Sequence, residues 1–311
     1  LDTTHWAYRF WIYFRGFTAP VFFTISGWIF SFLLIKEENE GLNPRIKKGI
    51  KRGVELLIWG YLLRLNLPSL LWGSINNSFT QPDVLHIIGL SIGFILLLYT
   101  GLRFLKNYLA WIFLTTGLIL FLLEPAYSQL NLDSLPKFIA AYLIKGYGGV
   151  FYLLPWLGYV FIGSSLAFFF NTRYARFKRW ILPSALLGLF LIFTSSLLFN
   201  LLGDVLHLSL FKQVAQNNFL FIRLGDFFLL LSFFMLFQSR FQNKLWRFLG
   251  TNTLGLYIVH YFILYGSLTG WGLYKFYAHQ LSLGETLFGL ILFLSGCIGL
   301  VFVLDLKKLN P

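Results

Sequence analysis

Residues 14–34 read FRGFTAPVFFTISGWIFSFLL, an apolar run broken only by small or hydroxyl residues and led in by Arg15. About 20 apolar residues in a helix span the roughly 30 Å hydrocarbon core of a bilayer. Backbone groups in that medium must bond within the segment itself, so the run constrains the chain to a membrane helix. Phe, Val, Ile and Trp supply its lipid-facing surface. Gly16, Ala19, Ser26 and Gly27 are small enough to admit a neighbouring helix, and Pro20 weakens the backbone ladder near one end.

The remainder of the sequence repeats this character. With 57% hydrophobic, 20% aromatic and 12% charged residues, a soluble domain of ordinary composition is excluded. Nine apolar stretches are long enough to span: 11–35, 54–72, 84–102, 108–123, 150–170, 180–202, 219–238, 248–268 and 286–304. Continuous Leu/Phe/Ile runs argue against a β-barrel, whose strands alternate. The expected fold is all-α, a polytopic membrane helix bundle of about nine transmembrane helices forming a single domain over 1–311, with one more helix expected upstream.

The net charge of +13 is not the footprint of a nucleic-acid binder, because the basic residues lie in short loops beside apolar spans. They cluster at 36–52, 103–106, 173–179, 240–247 and 307–308, and the alternate loops 65–83, 124–149, 203–218 and 269–285 are nearly free of them. The positive-inside rule then puts the first residues outside and the carboxyl end in the cytoplasm, a topology suited to a bacterial inner membrane. The long connector 124–149 has room for a short helix at 136–144, too short to span and suited to an interfacial lid.

Ionisable residues within spans are rare and are functional candidates by default. Given the orientation, Arg15, Asp83, His86, Arg223, Asp226 and His260 all fall in the external half, with His5 just above them. Each has a plainer use. Arg223 and Asp226 at i, i+3 can pair along one helix face. Asp83 can cap the helix it precedes, and His260 between tyrosines can be a packing histidine. The shared depth, rather than any single residue, suggests a polar pocket. No metal site is expected, since the five histidines are scattered and Cys297 is the single cysteine.

Five stretches together resemble the heparan-alpha-glucosaminide N-acetyltransferase family and its bacterial relatives: APVFFTISG at 19–27, KKGIKRGVELL at 47–57, PDVLHIIGLS at 82–91, LLPWLGYVFIGSSL at 153–166, and LGTNTLGLYIVHYFILYG at 249–266. The resemblance implies transfer of an acyl group from cytosolic acetyl-CoA to a sugar or glycan across the membrane. It implies an active-site histidine on the non-cytosolic side, which here is His5. Arg15 and Gly16 stand where relatives carry an acid or a histidine, and the first helix of the family, with its Asp-x-x-Arg-Gly-like motif, is not matched.

On that reading Arg45, Lys47, Lys48 and Arg52 face the CoA phosphates, with the 173–179 loop beside them. His5 is general base or transient acyl carrier. Asp83 orients a histidine or the acceptor, Arg15, Asn252 or His260 polarises the thioester carbonyl, and His86, Arg223 and Trp156 line the acceptor site. Expected partners are the lipid bilayer, acyl-CoA and a sugar or glycan acceptor, with a homodimer left open. Ping-pong and direct transfer both fit. A transporter or flippase for a polar lipid or saccharide is the alternative, in which the same charges line a permeation path.

Overall fold

The computed structural model describes residues 6–37, 43–75, 78–171, 178–278 and 280–309. Sixteen α-helices follow one another among these residues: α1 (Trp6–Lys36), α2 (Pro44–Arg64), α3 (Leu67–Leu71), α4 (Val84–Gly101), α5 (Leu109–Leu122), α6 (Glu124–Tyr127), α7 (Lys137–Leu143), α8 (Leu153–Asn171), α9 (Ile181–Phe193), α10 (Ser195–Leu206), α11 (Ser209–Gln216), α12 (Phe219–Leu236), α13 (Lys244–Thr251), α14 (Thr253–Tyr265), α15 (Leu273–Tyr277) and α16 (Leu283–Leu309). The chain is an all-α integral, multi-pass membrane protein. It resolves into two compact units, one of residues 1–57 and 81–237, the other of residues 58–80 and 238–311.

Among the described residues six helical segments are long and apolar enough to cross a membrane: Tyr8–Lys36, Val84–Gly101, Arg103–Leu122, Leu153–Phe170, Phe219–Leu236 and Leu283–Asp305. Helices α9 and α10 are apolar enough only as a pair, which is bent by 62° and forms either a broken span or a re-entrant loop. Two of the nine expected stretches do not form a single long apolar helix, for physical reasons. Helix α2 begins at Pro44, so its first turns carry Arg45, Lys47, Lys48, Lys51 and Arg52 and dilute the apolar stretch. The 248–268 stretch is divided at Asn252 into α13 and the short α14.

The bend between α9 and α10 has a side-chain cause. Thr194 donates its hydroxyl to the carbonyl of Phe190 at 2.6 Å, and Ser195 donates to that of Leu191. Hydroxyls that bond back to the preceding turn bend helices. Asn218, at the start of α12, then holds the corner by donating its amide to Ser195 Oγ at 2.6 Å and Ser196 Oγ at 2.9 Å.

Helix α8 is the axis of the first unit. In lipid there is little hydrophobic drive between helices, so close packing through small residues decides which faces meet. A Cβ on Gly27 would collide with the carbonyl of Val160, and one on Gly163 with that of Thr24, so α1 and α8 touch backbone to backbone. Phe23 packs on Trp156 and Trp28 on Phe170, which makes the two helices parallel. Helix α5 lies antiparallel on α8, with Gly117 against Gly158 and Trp111 against Phe169. Helices α9 and α12 meet antiparallel at Gly188 and Gly225. Glycines 53 and 89 bring α2 and α4 together in the same way, whereas Gly93 opens onto empty space. In the second unit α14 runs antiparallel to α16, with Asn252 at its start reaching Asp305 and Gly255 lying against Val301, and Phe248 of α13 meets Phe302. Each pair runs in the relative sense that the alternation of basic loops requires.

Candidate functional site

The first unit carries polar groups at both ends of α1. At its carboxyl end Glu37 accepts from Arg45, whose guanidinium lies 2.7 Å away, and from Lys48 Nζ at 3.3 Å. Burial pushes the Glu37 carboxyl up slightly, but hydrogen bonds and charge from Arg45 and Lys48 outweigh it and hold the carboxyl below its usual range. Arg52 pairs with Glu55 one turn on, at 3.0 Å. Lys47 and Lys51 are exposed on the same helix. The result is a basic ramp at the membrane edge, partly charge-compensated, with lysine ammonium groups still turned to solvent.

Toward the other end, Tyr13 and Gly16 meet α12. Asp226, only 6% exposed, accepts from Arg223 Nη1 at 2.9 Å and from the Tyr13 hydroxyl at 2.5 Å. The Arg223 guanidinium lies 4.4 Å from the Tyr13 ring centroid, a cation–π distance. Glycine at position 16 makes the arrangement possible, because a Cβ there would sit 2.6 Å from Arg223 Nη2. The i, i+3 pair anticipated on α12 therefore forms, and Tyr13 joins it from a second helix. Tyr159 of α8 lies within electrostatic reach of both charges and donates its hydroxyl to the Leu220 carbonyl at 2.9 Å. From Tyr13 to Glu37 is 24 residues, so the basic ramp and the buried pair are separated by about 36 Å of helix, close to a bilayer's thickness.

Asp83 and His86 do both things weighed for them. Asp83 is the N-cap of α4, its side chain accepting from the backbone of His86, and His86 Nδ1 accepts from the Asp83 N–H at 3.0 Å. A ring nitrogen that accepts is unprotonated, so the neutral imidazole carries its hydrogen on Nε2 and presents a donor. His86 is fully buried, and Tyr142 of α7 packs edge-on against it at 5.9 Å. The short helix anticipated at 136–144 exists, and it covers this histidine.

Other candidates sit differently. Arg15 is exposed and lies 5.4 Å over Trp11 of its own helix. Trp156 packs among Phe23, Phe151 and Tyr159, and its Nε1–H is buried with no acceptor. His260 and Asn252 belong to the second unit. There the Nδ1 of His260 bonds the Leu256 carbonyl at 3.2 Å, and its ring packs between Tyr257 and Tyr261. Asn252 closes the break between α13 and α14, donating to Phe248 O at 3.2 Å and to Asp305 Oδ2 at 3.4 Å. His5, and Arg173 and Arg176 of the 173–179 loop, lie outside the described residues. A cavity of about 60 Å³ in the second unit, lined by Leu65, Asn66, Leu70, Ser74, Ile75 and Phe79, holds no ionisable group.

Sequence reading missed Tyr13, Glu124, Tyr127 and Tyr152. Tyrosines at span ends read as an interfacial belt, which hides individual roles. For Glu124 a signal existed: a carboxylate two residues past a span, with tyrosine one turn further on.

The chain is thus a multi-pass membrane helix bundle whose first unit carries buried ionisable groups toward one end of α1 and basic residues at the other. Family comparison is more specific. The chain belongs to the family described as an acyltransferase domain, which matches residues 1–302. Neither the curated proteins nor the solved structures hold a match to it.

Proposed function

We propose that the chain transfers an acyl group, acetyl in the first instance, from acyl-CoA on the cytoplasmic side to a hydroxyl or amine of a sugar or glycan on the external side. The observation that carries this reading is the two-ended layout of the first unit in a chain of an acyltransferase family. Arg45, Lys47, Lys48 and Arg52 supply cations for the CoA phosphates, and Arg45 and Lys48 exchange Glu37 for phosphate oxygens on binding. The acyl thioester then reaches inward along α1. From Glu37 back to Phe23, which packs on Trp156, is roughly 21 Å of helix.

In the transfer step the acceptor oxygen or nitrogen attacks the thioester carbonyl, the C–S bond breaks, and CoA leaves as thiolate. His5 takes the acceptor proton and returns it to the thiolate, giving the acylated acceptor and free CoA. The resemblance to the heparan-alpha-glucosaminide N-acetyltransferase family supports His5 in this role. Asp83 and His86, locked together at the start of α4, are candidates for orienting the acceptor. His260 and Asn252 stay candidates for the carbonyl-polarising role on the resemblance alone. Arg15 is a candidate for gathering the acceptor at the external rim.

The test is acetyl-CoA binding by the purified full chain in detergent. A ligand at 100 times its Kd stabilises by about 2.7 kcal/mol, which a thermal melt detects. Stabilisation should vanish when Arg45, Lys47, Lys48 and Arg52 are replaced by Ala together. Absence of any effect of millimolar acetyl-CoA on the wild type sinks the reading.

A further inference from the structure

Where α5 ends, its last turn is wedged against α8. Phe121 packs on Tyr159 at 4.6 Å, and Gly158 admits the Phe121 ring because any Cβ there would clash with it. Helix α6 begins at once, and it brings Glu124 and Tyr127 within electrostatic reach of Tyr152, the residue before α8. Two buried donors on either side of Tyr159 have nothing to bond: the Tyr127 hydroxyl, within electrostatic reach of it, and the Nε1–H of Trp156, whose ring lies 5.8 Å from it. Buried polar groups in folded proteins are nearly always satisfied, so two such donors around one corner ask for acceptor oxygens from outside the chain. Phe23, Phe151 and Tyr159 surround Trp156 with aromatic surface.

The charge balance identifies the chemical class. Lys145 is opposed by Glu124, and Arg223, within reach of Tyr159, is paired with Asp226, so each of these cations already has a carboxyl partner. The corner offers two neutral donors, one carboxyl and aromatic faces, the combination that recognises a polyhydroxylated ring. Burial also raises the Glu124 carboxyl, so its ionisation opposes folding, and a group kept against stability is a functional candidate.

Resting on the acyl-transfer reading, we infer that Glu124, Tyr127, Tyr152 and Trp156 form the acceptor subsite, and that it takes a neutral sugar ring. The sugar's oxygens accept from Tyr127 and Trp156, and Glu124 accepts from one of its hydroxyls. The subsite lies in the first unit and uses none of the residues assigned to the CoA phosphates.

Radiolabelled acetyl-CoA supplied to membranes of the producing cells tests this, with acetyl-CoA binding by the purified chain measured in parallel. Glu124→Gln and Tyr127→Phe should each lower label incorporated into envelope glycan at least tenfold, with acetyl-CoA affinity unchanged within twofold. Undiminished incorporation in both variants overturns the subsite, as does loss of acetyl-CoA binding together with incorporation. A wild type that binds acetyl-CoA yet labels no glycan overturns the sugar assignment. A wild type that binds no acetyl-CoA overturns the transfer reading itself.

Discussion

Replacing Asp226 with Asn probes the ion pair on which the Tyr13 end of the first unit is built. The side chains of Arg223 and Asp226 are 17% and 7% exposed, so both charges are mostly removed from water. Breaking a buried pair by deleting one partner costs about 3–5 kcal/mol. Arg223 keeps its place over the Tyr13 ring, and that cation–π contact retains roughly 0.5–2 kcal/mol. The expected net loss for Asp226→Asn is therefore about 1–4.5 kcal/mol. Removing both charges, as in Arg223→Met with Asp226→Leu, leaves no unpaired ion and should return to within about 1 kcal/mol of the wild type. Equilibrium unfolding of purified protein in mixed micelles, read as a double-mutant cycle, measures the difference. The reasoning is refuted if Asp226→Asn is as stable as the wild type, or if the double variant is as unstable as the single one.

Four further outcomes are expected. Gly27→Ala forces a methyl into the Val160 carbonyl and should destabilise by about 3 kcal/mol, whereas Gly16→Ala meets the movable end of Arg223 and should lose only about 1 kcal/mol; the same unfolding assay ranks the two. Asn218→Ala frees the corner between α9 and α10 and should cost about 1–2 kcal/mol, with faster hydrogen exchange at residues 194–197. The depressed Glu37 carboxyl means that its pairing with Arg45 and Lys48 is present above its ordinary pKa and is lost as pH falls through its folded-state pKa, so Glu37→Gln should flatten the acid limb of a stability-versus-pH curve by lowering stability slightly at neutral pH and leaving low pH unchanged. Glu124 has the opposite sign: its raised carboxyl favours folding at low pH and loses that contribution as pH rises, so Glu124→Gln should be no less stable than the wild type at pH 7 in a thermal melt.

The membrane class and the pairing senses of the helices were legible in the sequence, because apolar run length and loop charge respond directly to the bilayer. Gly16 and Gly27 could be picked out as close-approach positions, since in lipid only small residues let backbones touch. Which helix they meet was not legible: Gly16 faces Arg223 and Gly27 faces Val160, pairings set by long-range packing. The basic start of α2 and the Asn252 break show why an apolar run and a single long apolar helix need not coincide. Arg223 with Asp226, and Asp83 with His86, followed from i, i+3 spacing. Tyr13 came from another helix more than two hundred residues away, where no local spacing rule reaches. Whether the separate polar pairs serve one reaction is a question of chemistry that spacing does not encode.

Sidedness is the core of the account, and vesicles measure it most directly. Purified protein is reconstituted into proteoliposomes with envelope glycan sealed inside, and radiolabelled acetyl-CoA is supplied only outside. Molecules whose α2 ramp faces outward should release free CoA to the exterior and leave labelled acetyl on the enclosed glycan. Label found only on glycan added to the outer side, or no free CoA formed at all, contradicts transfer across the bilayer.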